Sequence, residues 1–277
     1  VNLQGKNVVI TGASSGIGAA TAIAMAARGA HVILMARGAA ALEVKAKQIR
    51  AAGGRASVYS VDVSDPAAVT AVAREVQAEV GAVDVVVNNA GIGDWLFIDE
   101  TTDEDFQQMM AVPAFAAFYV TKAFLPGMVE RGSGQITNVN GPGAYAPWPG
   151  STAYAMSRWA LRGFSEVLRA DLHGTGIKVT SVVMGHVDSP YYDNNPSTTA
   201  RIASLDRLIP TLSEEQAGEI VTKASEQGKH NVFAPAMIRM LINLHRIAPW
   251  PLHWLVIKSG ASRSSIVLPD DASRQSV

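Results

Sequence analysis

The run Thr11-Gly12-Ala13-Ser14-Ser15-Gly16-Ile17-Gly18 is the stretch of this sequence most suited to holding a phosphate. It sits between an apolar β-branched run and an Ala-rich helical stretch. Glycines there let the backbone approach a pyrophosphate, and the unpaired N–H groups that open a helix point at it. A Gly-rich turn alone is a weak signal, but here strand, turn and helix occur together at βαβ spacing. A second group addresses the other end of the same ligand. The next apolar run ends Met35-Ala36-Arg37, where an acidic residue would accept from a ribose 2′-hydroxyl and repel a 2′-phosphate. Arg37 instead offers a planar, permanently charged donor set, with Ser14 and Ser15 nearby in the turn. The expected ligand is NADP(H) in preference to NAD(H).

These groups need a scaffold, and the rest of the chain describes one. Apolar β-branched runs at 7–11, 31–35, 56–61, 84–87, 135–139, 177–183 and 231–234 alternate with helical stretches beginning at 16, 39, 66, near 103, near 151 and at 213. That rhythm predicts an α/β fold: a Rossmann-type, doubly wound parallel sheet of about seven strands in three αβα layers, as a single domain over 1–235. Its strands read as continuous apolar runs because helices cover both faces. Residues 188–212 break the rhythm with Pro, Ser, Thr, Asn and the pair Tyr191-Tyr192, which predicts a mobile substrate flap rather than a strand or regular helix. Residues 236–258 form an apolar extension in which Trp250 and Trp254 stand among Arg239, His245, Arg246 and Lys258. Its uncharged runs are shorter than the roughly 20 residues of a spanning helix, and Pro249 and Pro251 interrupt them. Two readings stay open for it: core or oligomer interface over the substrate pocket, or a peripheral membrane contact. The polar stretch 259–277 reads as a flexible tail.

Bulk properties narrow the classes further. With 23 basic and 24 acidic residues the net charge is −1, which gives no pull toward nucleic acid. There is no cysteine, so neither a disulfide framework nor a thiolate metal site is available, and no metal is expected. Residues 1–6 run straight into an apolar strand without a signal-peptide pattern, so the expected location is cytoplasmic.

Three motifs occur in one order: TGASSGIG, Asn88-Asn89-Ala90-Gly91 after the fourth strand, and Tyr154 with a basic residue at 158. Over roughly 5–235 the chain thereby resembles the short-chain dehydrogenase/reductase family. The resemblance implies that Asn88, Asn89, Ala90 and Gly91 support the sheet and border the cofactor, that Asp62 and Val63 lie at its adenine, and that Gly185, Val187 and Ser189 lie at its carboxamide. It also implies Tyr154 as proton donor and acceptor. Where the family has lysine this chain has Arg158, one helical turn on, which keeps a positive charge favouring tyrosinate but cannot release a proton. The family's serine position falls on Gly141, with Asn140 or Tyr145 as substitute hydrogen-bonding groups, and its asparagine position on Pro113. His186 is a further candidate proton donor in the pocket.

Losing one positioned donor at a developing oxyanion costs about 10² to 10³ in rate, so the divergent tetrad argues against efficient reduction of an ordinary ketone. The expected activity is that of an NADP(H)-dependent oxidoreductase acting on a bulky hydrophobic carbonyl, alcohol or imine, in a pocket lined by Trp95, Phe97, Trp148, Tyr191 and Tyr192. The alternatives are a non-redox cyclase, isomerase or lyase using Tyr154, and a catalytically silent NADP(H)-binding protein. The family also implies a homodimer or homotetramer, paired through the helices that begin near 103 and 151.

Overall fold

Seven β-branched runs pair side by side, all parallel, in the order β3-β2-β1-β4-β5-β6-β7. They are β1 (Asn7–Thr11), β2 (His31–Ala36), β3 (Arg55–Ser60), β4 (Val85–Asn88), β5 (Gly134–Asn140), β6 (Ile177–Met184) and β7 (Asn231–Ala234). The computed structural model describes residues 1–146, 148–193, 195–202 and 208–262. The helices are α1 (Gly16–Ala26), α2 (Ala39–Ala51), α3 (Pro66–Glu79), α4 (Asp103–Met110), α5 (Ala116–Arg131), α6 (Thr152–Asp171), α7 (Pro196–Arg201), α8 (Glu214–Gln227), α9 (Ala236–Ile247) and α10 (Pro249–Ser259).

Side chains along a strand point alternately to its two faces, so each strand feeds two cores. Val8, Ile10, Val32 and Leu34 pack with Met25 of α1, Leu42 of α2 and Val221 of α8. Their neighbours Val9, Ile33 and Met35 pack with Val76 of α3, Phe124 of α5 and Leu168 of α6. This gives the three αβα layers expected from the alternation. The order reverses between β1 and β4, and the cleft beyond the carboxyl ends of these strands is where such sheets bind ligands.

Pro113 falls where α4 and α5 would otherwise be one helix. Val112 leaves helical angles there (φ −132°, ψ 110°), and the chain passes through a wide turn at Ala111–Phe115 before α5 resumes. Proline removes the amide donor that would close the ladder. Together α4 and α5, Asp103–Arg131, are long and apolar enough to cross a membrane, but Ala116, Val120, Phe124 and Met128 of α5 are spent on the core.

One sequence expectation needs correction. The flap at 188–212 was expected to lack regular structure; it contains α7, and its ends are joined by a bridge between Val187 and Leu212. The C-terminal extension, to which the sequence assigns no element, forms α9 and α10 on either side of Ala248. Pro249 starts α10, because proline at a first helical position forfeits only an N–H that lacks a partner anyway. The tail expected over 259–277 begins as the end of α10, and residues 263–277 lie outside the described residues.

Candidate active site

The Gly-rich turn joins β1 to α1 with two left-handed residues, Gly12 (φ 65°) and Gly16 (φ 57°), a conformation open to glycine at little cost. A Cβ on Gly18 would stand 2.2 Å from the Gly12 carbonyl oxygen, so only glycine lets the helix start this close to the strand. Thr11 Oγ1 accepts from the backbone N–H groups of Asn89 and Ala90, both at 3.0 Å, and Asn89 Nδ2 donates to the Thr11 carbonyl at 3.0 Å. These bonds bind the Asn88–Gly91 turn to the Gly-rich turn. Asn88 works inward: its Nδ2 donates to Thr121 Oγ1 and Asn138 Oδ1, and Asn138 Nδ2 donates to Ser165 Oγ, all buried.

The residues present fit a dinucleotide. At the start of α1, Ser15 makes no side-chain cap and no acidic residue stands in the first turn, so the first N–H groups remain available to an anion. Arg37 follows β2 directly and is exposed; among the described residues no ion pair engages it. Asp62 lies two residues beyond β3 and beside the buried Val63. Hydrogen bonds from Ser64 hold its carboxyl below the usual range, with a smaller contribution from the Arg37 charge, so Asp62 is an ionised acceptor. Ser189 reaches the Gly-rich turn: a Cβ on Gly16 would lie 3.6 Å from that of Ser189. Gly185 donates its N–H to Ala234, and Val187 is buried.

Tyr154 and Arg158 stand on the first turns of α6. Tyr154 and Arg158 are both buried, and the guanidinium carbon lies 5.0 Å from the phenol ring centroid. Burial works against the charge on Arg158, but Tyr154 and Tyr191 outweigh it and hold the pKa of this guanidinium above its usual value. The cation is therefore permanent. It sits against the Asn88–Gly91 turn, since a Cβ on Gly91 would be 3.0 Å from Arg158 Nη2.

Gly141 is adjacent to the pair for a reason its position in sequence does not disclose. A Cβ there would lie 2.5 Å from the Tyr154 hydroxyl oxygen, so the tyrosine uses the space that a serine side chain would need. Neither substitute group faces the tyrosine. Asn140 is buried with its amide committed: Nδ2 donates to the Arg158 carbonyl at 3.1 Å and Oδ1 accepts from Gly141 N at 2.9 Å. Tyr145 lies under the Arg162 guanidinium, 4.1 Å from its ring centroid, and packs edge-on to Phe233. His186 stacks face to face on Tyr192 at 4.2 Å, beside a cavity of about 470 Å³ bordered by Asp188, Ser189 and Glu214. Pro113 lines the bend before α5 and brings no polar group.

The group that spacing did not identify for a chemical role is the Tyr191 hydroxyl. It fills the place of a side chain at Gly93, whose Cβ would be 1.5 Å from it and 3.4 Å from Tyr154 Cδ2. Burial pushes its pKa well above the usual range, with Tyr154 adding to the rise and Arg158 opposing it. Although near enough to feel both groups, the hydroxyl makes no hydrogen bond of good geometry among the described residues. The only sequence signal was the pair of adjacent tyrosines in the flap.

The flap is held down by polar groups that the sequence did not single out. The Gly93 N–H donates to Asn195 Oδ1 at 2.9 Å, Thr198 Oγ1 donates to the Gly93 carbonyl, and Ser197 Oγ donates to Asp94 Oδ1 at 2.6 Å. Arg201, almost fully buried, donates to the Trp95 carbonyl and pairs with Glu100 at 2.9 Å. Trp95 stands 5.5 Å from the Tyr154 ring and 6.1 Å from Trp148, so the phenol is walled by aromatic rings.

A profile of the short chain dehydrogenase family matches residues 6–200. The fatty acyl-CoA reductase of Acinetobacter baylyi is 35% identical over 225 residues, which are 80% of this chain and 74% of that protein. The Mycobacterium bovis protein named "Probable oxidoreductase EphD" is 42% identical over 183 residues, 66% of this chain, which spans only 31% of that protein's length. Among solved structures, a metagenomic short-chain oxidoreductase in complex with NADP is similar with a TM-score of 0.71 and 29% identity, over 84% of this chain and 98% of the other.

Proposed function

The chain belongs to the short-chain dehydrogenase family, and from that premise we propose that it is an NADP(H)-dependent oxidoreductase acting on a bulky hydrophobic carbonyl, alcohol or imine. The observation that carries this reading is the buried Tyr154 phenol with the Arg158 cation against its ring. Arg37 favours the 2′-phosphorylated dinucleotide by its charge, and the NADP complex of a solved relative supports the same choice. When bound, the dinucleotide supplies or accepts the hydride.

The chain's own residues do the rest. Tyr154 gives its hydroxyl proton to the substrate oxygen or nitrogen in reduction and takes it back in oxidation. Arg158 stabilises the tyrosinate left behind, since its positive charge is fixed at every working pH. With no serine at 141, the buried Tyr191 hydroxyl, which lacks a well-formed hydrogen bond among the described residues, offers a second hydrogen bond to the substrate. Trp95 and Trp148 exclude water and define an apolar entrance, which suits a large apolar group. The name of the Acinetobacter relative, a fatty acyl-CoA reductase, supports an apolar chain on the substrate. Exposed Phe118 and Val129 on α5 and Met156, Trp159 and Val167 on α6 support pairing of these helices between copies.

The test is NADPH absorbance on mixing with long-chain aldehydes and aromatic ketones, in wild type and Tyr154→Phe. Wild type consumes NADPH, and the variant binds it but turns over at least about 10²-fold more slowly. Product formation without a change in absorbance would refute the redox reading.

A further inference from the structure

We propose that the α9–α10 pair is a docking face for an anionic lipid bilayer. Each of these helices is apolar on two opposite sides. Ile238 and Ile242 of α9 and Leu252 and Val256 of α10 are buried toward the domain. On the far side of α9, Met240, Leu244 and Ile247 recur at i, i+4 and i+7; on α10, Trp250, Trp254 and Ile257 repeat the same spacing. Residues spaced in this way share one face of a helix. Ile247 is 84% exposed, Trp250 83% and Trp254 62%, and they cluster at the one-residue joint between the helices and along α10. An amphipathic surface helix of a soluble domain spends one apolar face on its core and turns a polar one to water. Here the outward face is apolar as well, and contiguous exposed apolar surface of this kind marks an interaction site.

Charge identifies the occupant. From 227 to 269 the sequence contains no Asp or Glu, while Arg239, Arg246 and Lys258 project into solvent from the same two helices. Large apolar side chains and tryptophans flanked by cations of one sign are what an interfacial helix uses: the rings settle at headgroup level and the cations meet anionic lipid. A second copy is a poor fit. Symmetric pairing through this face would set cationic patches against each other without an acidic residue on either helix to offset them.

The helices that carry this face border the catalytic region with their inner sides. The inner residues Ile238, Ile242, Leu252 and Val256 line an apolar pocket with Tyr145 and Trp148, and Trp148 is one ring removed from the aromatic wall of Tyr154. Docking through α9–α10 would therefore place the apolar pocket beneath these helices next to the bilayer. This inference does not depend on the redox chemistry, and its test needs no turnover.

The experiment is co-sedimentation of the full chain, with NADP present, on phosphatidylcholine vesicles with and without phosphatidylglycerol, at low and high salt. The expected result is partitioning to the anionic vesicles that falls with salt. Arg246→Gln and Lys258→Gln should each lower it roughly fivefold, and the pair together roughly 25-fold. Trp250→Ser with Trp254→Ser should remove it. All four side chains are exposed, so the variants should keep their circular dichroism and dinucleotide affinity, which separates loss of docking from loss of fold. Equal partitioning on neutral and anionic vesicles, or tryptophan variants that bind like wild type, would overturn the proposal. So would a wild-type dimer that the tryptophan substitutions dissociate while no vesicle binding is seen, which would assign the face to a second copy.

Discussion

Placing the family's serine at position 141 should damage this protein. A Cβ on Gly141 lies 2.5 Å from the Tyr154 hydroxyl oxygen, about 1 Å inside van der Waals contact. The phenol has little room to retreat. Trp95 stands 5.5 Å from its ring, Arg158 lies 5.0 Å from its centroid, and its Cε1 already occupies space that a side chain at Gly143 would use, 2.9 Å from the Cβ position. Overpacking of a closed site costs about 1–3 kcal/mol, which for a domain of this size lowers the melting midpoint by roughly 2–5 °C. Displacing a reacting group by about 1 Å costs on the order of 10²-fold in rate. The assay compares wild type and Gly141→Ser in thermal denaturation, in NADP(H) calorimetry and in NADPH consumption with a long-chain aldehyde. A lower midpoint and slower turnover with unchanged dinucleotide affinity are expected. An unchanged midpoint, or turnover that equals or exceeds wild type, would refute the reasoning, because it would mean that the serine coexists with Tyr154 in its present place.

Two further outcomes follow from the charges. Arg37→Asp should weaken NADP binding roughly 10- to 100-fold in calorimetry, the range for a hydrogen bond to a charged group, and should favour NAD by removing the 2′-phosphate partner; unchanged NADP affinity would disprove the role given to Arg37. Burial first, then the His253 ring and the Arg162 charge, holds His245 below the ordinary histidine pKa. Its folded value is thus lower than its unfolded one, so the α9–α10 packing is at full strength above about pH 6.5 and weakens as pH falls below that toward the folded value. Protection factors of α9–α10 amides, in which the intrinsic slowing of exchange by acid is divided out, should fall on acidification, and His245→Gln should flatten that dependence.

Much of the scaffold was legible because its signals are local. Strand alternation, the Gly-rich turn and the rise and fall of apolar runs are properties of neighbouring residues, and they located all seven strands to within a residue or two. The positions of the Gly-rich turn and of Arg37 could be read in the same way, since each sits at a strand end whose direction a parallel sheet fixes. The 154/158 spacing put a phenol and a cation on one helix face. The flap and the C-terminal extension were legible only as departures from the rhythm. The Pro, Ser, Thr and Asn of the flap argue against a regular helix there, yet α7 begins at Pro196, because a first helical turn accepts proline.

By itself, the sequence determined a parallel sheet wound on both sides, a Gly-rich turn between β1 and α1 and the family to which the chain belongs. The tertiary structure decided which groups meet at the tyrosine: the glycine at 141 that leaves room for its hydroxyl, the inward commitment of the Asn140 amide, the Tyr191 hydroxyl over Gly93 and the Arg201–Glu100 clamp. Gly93 and Tyr191, or Glu100 and Arg201, are about a hundred positions apart. Nothing in either local stretch encodes their approach, which arises only when the loop after β4 and the loop after β6 emerge at the same edge of one sheet.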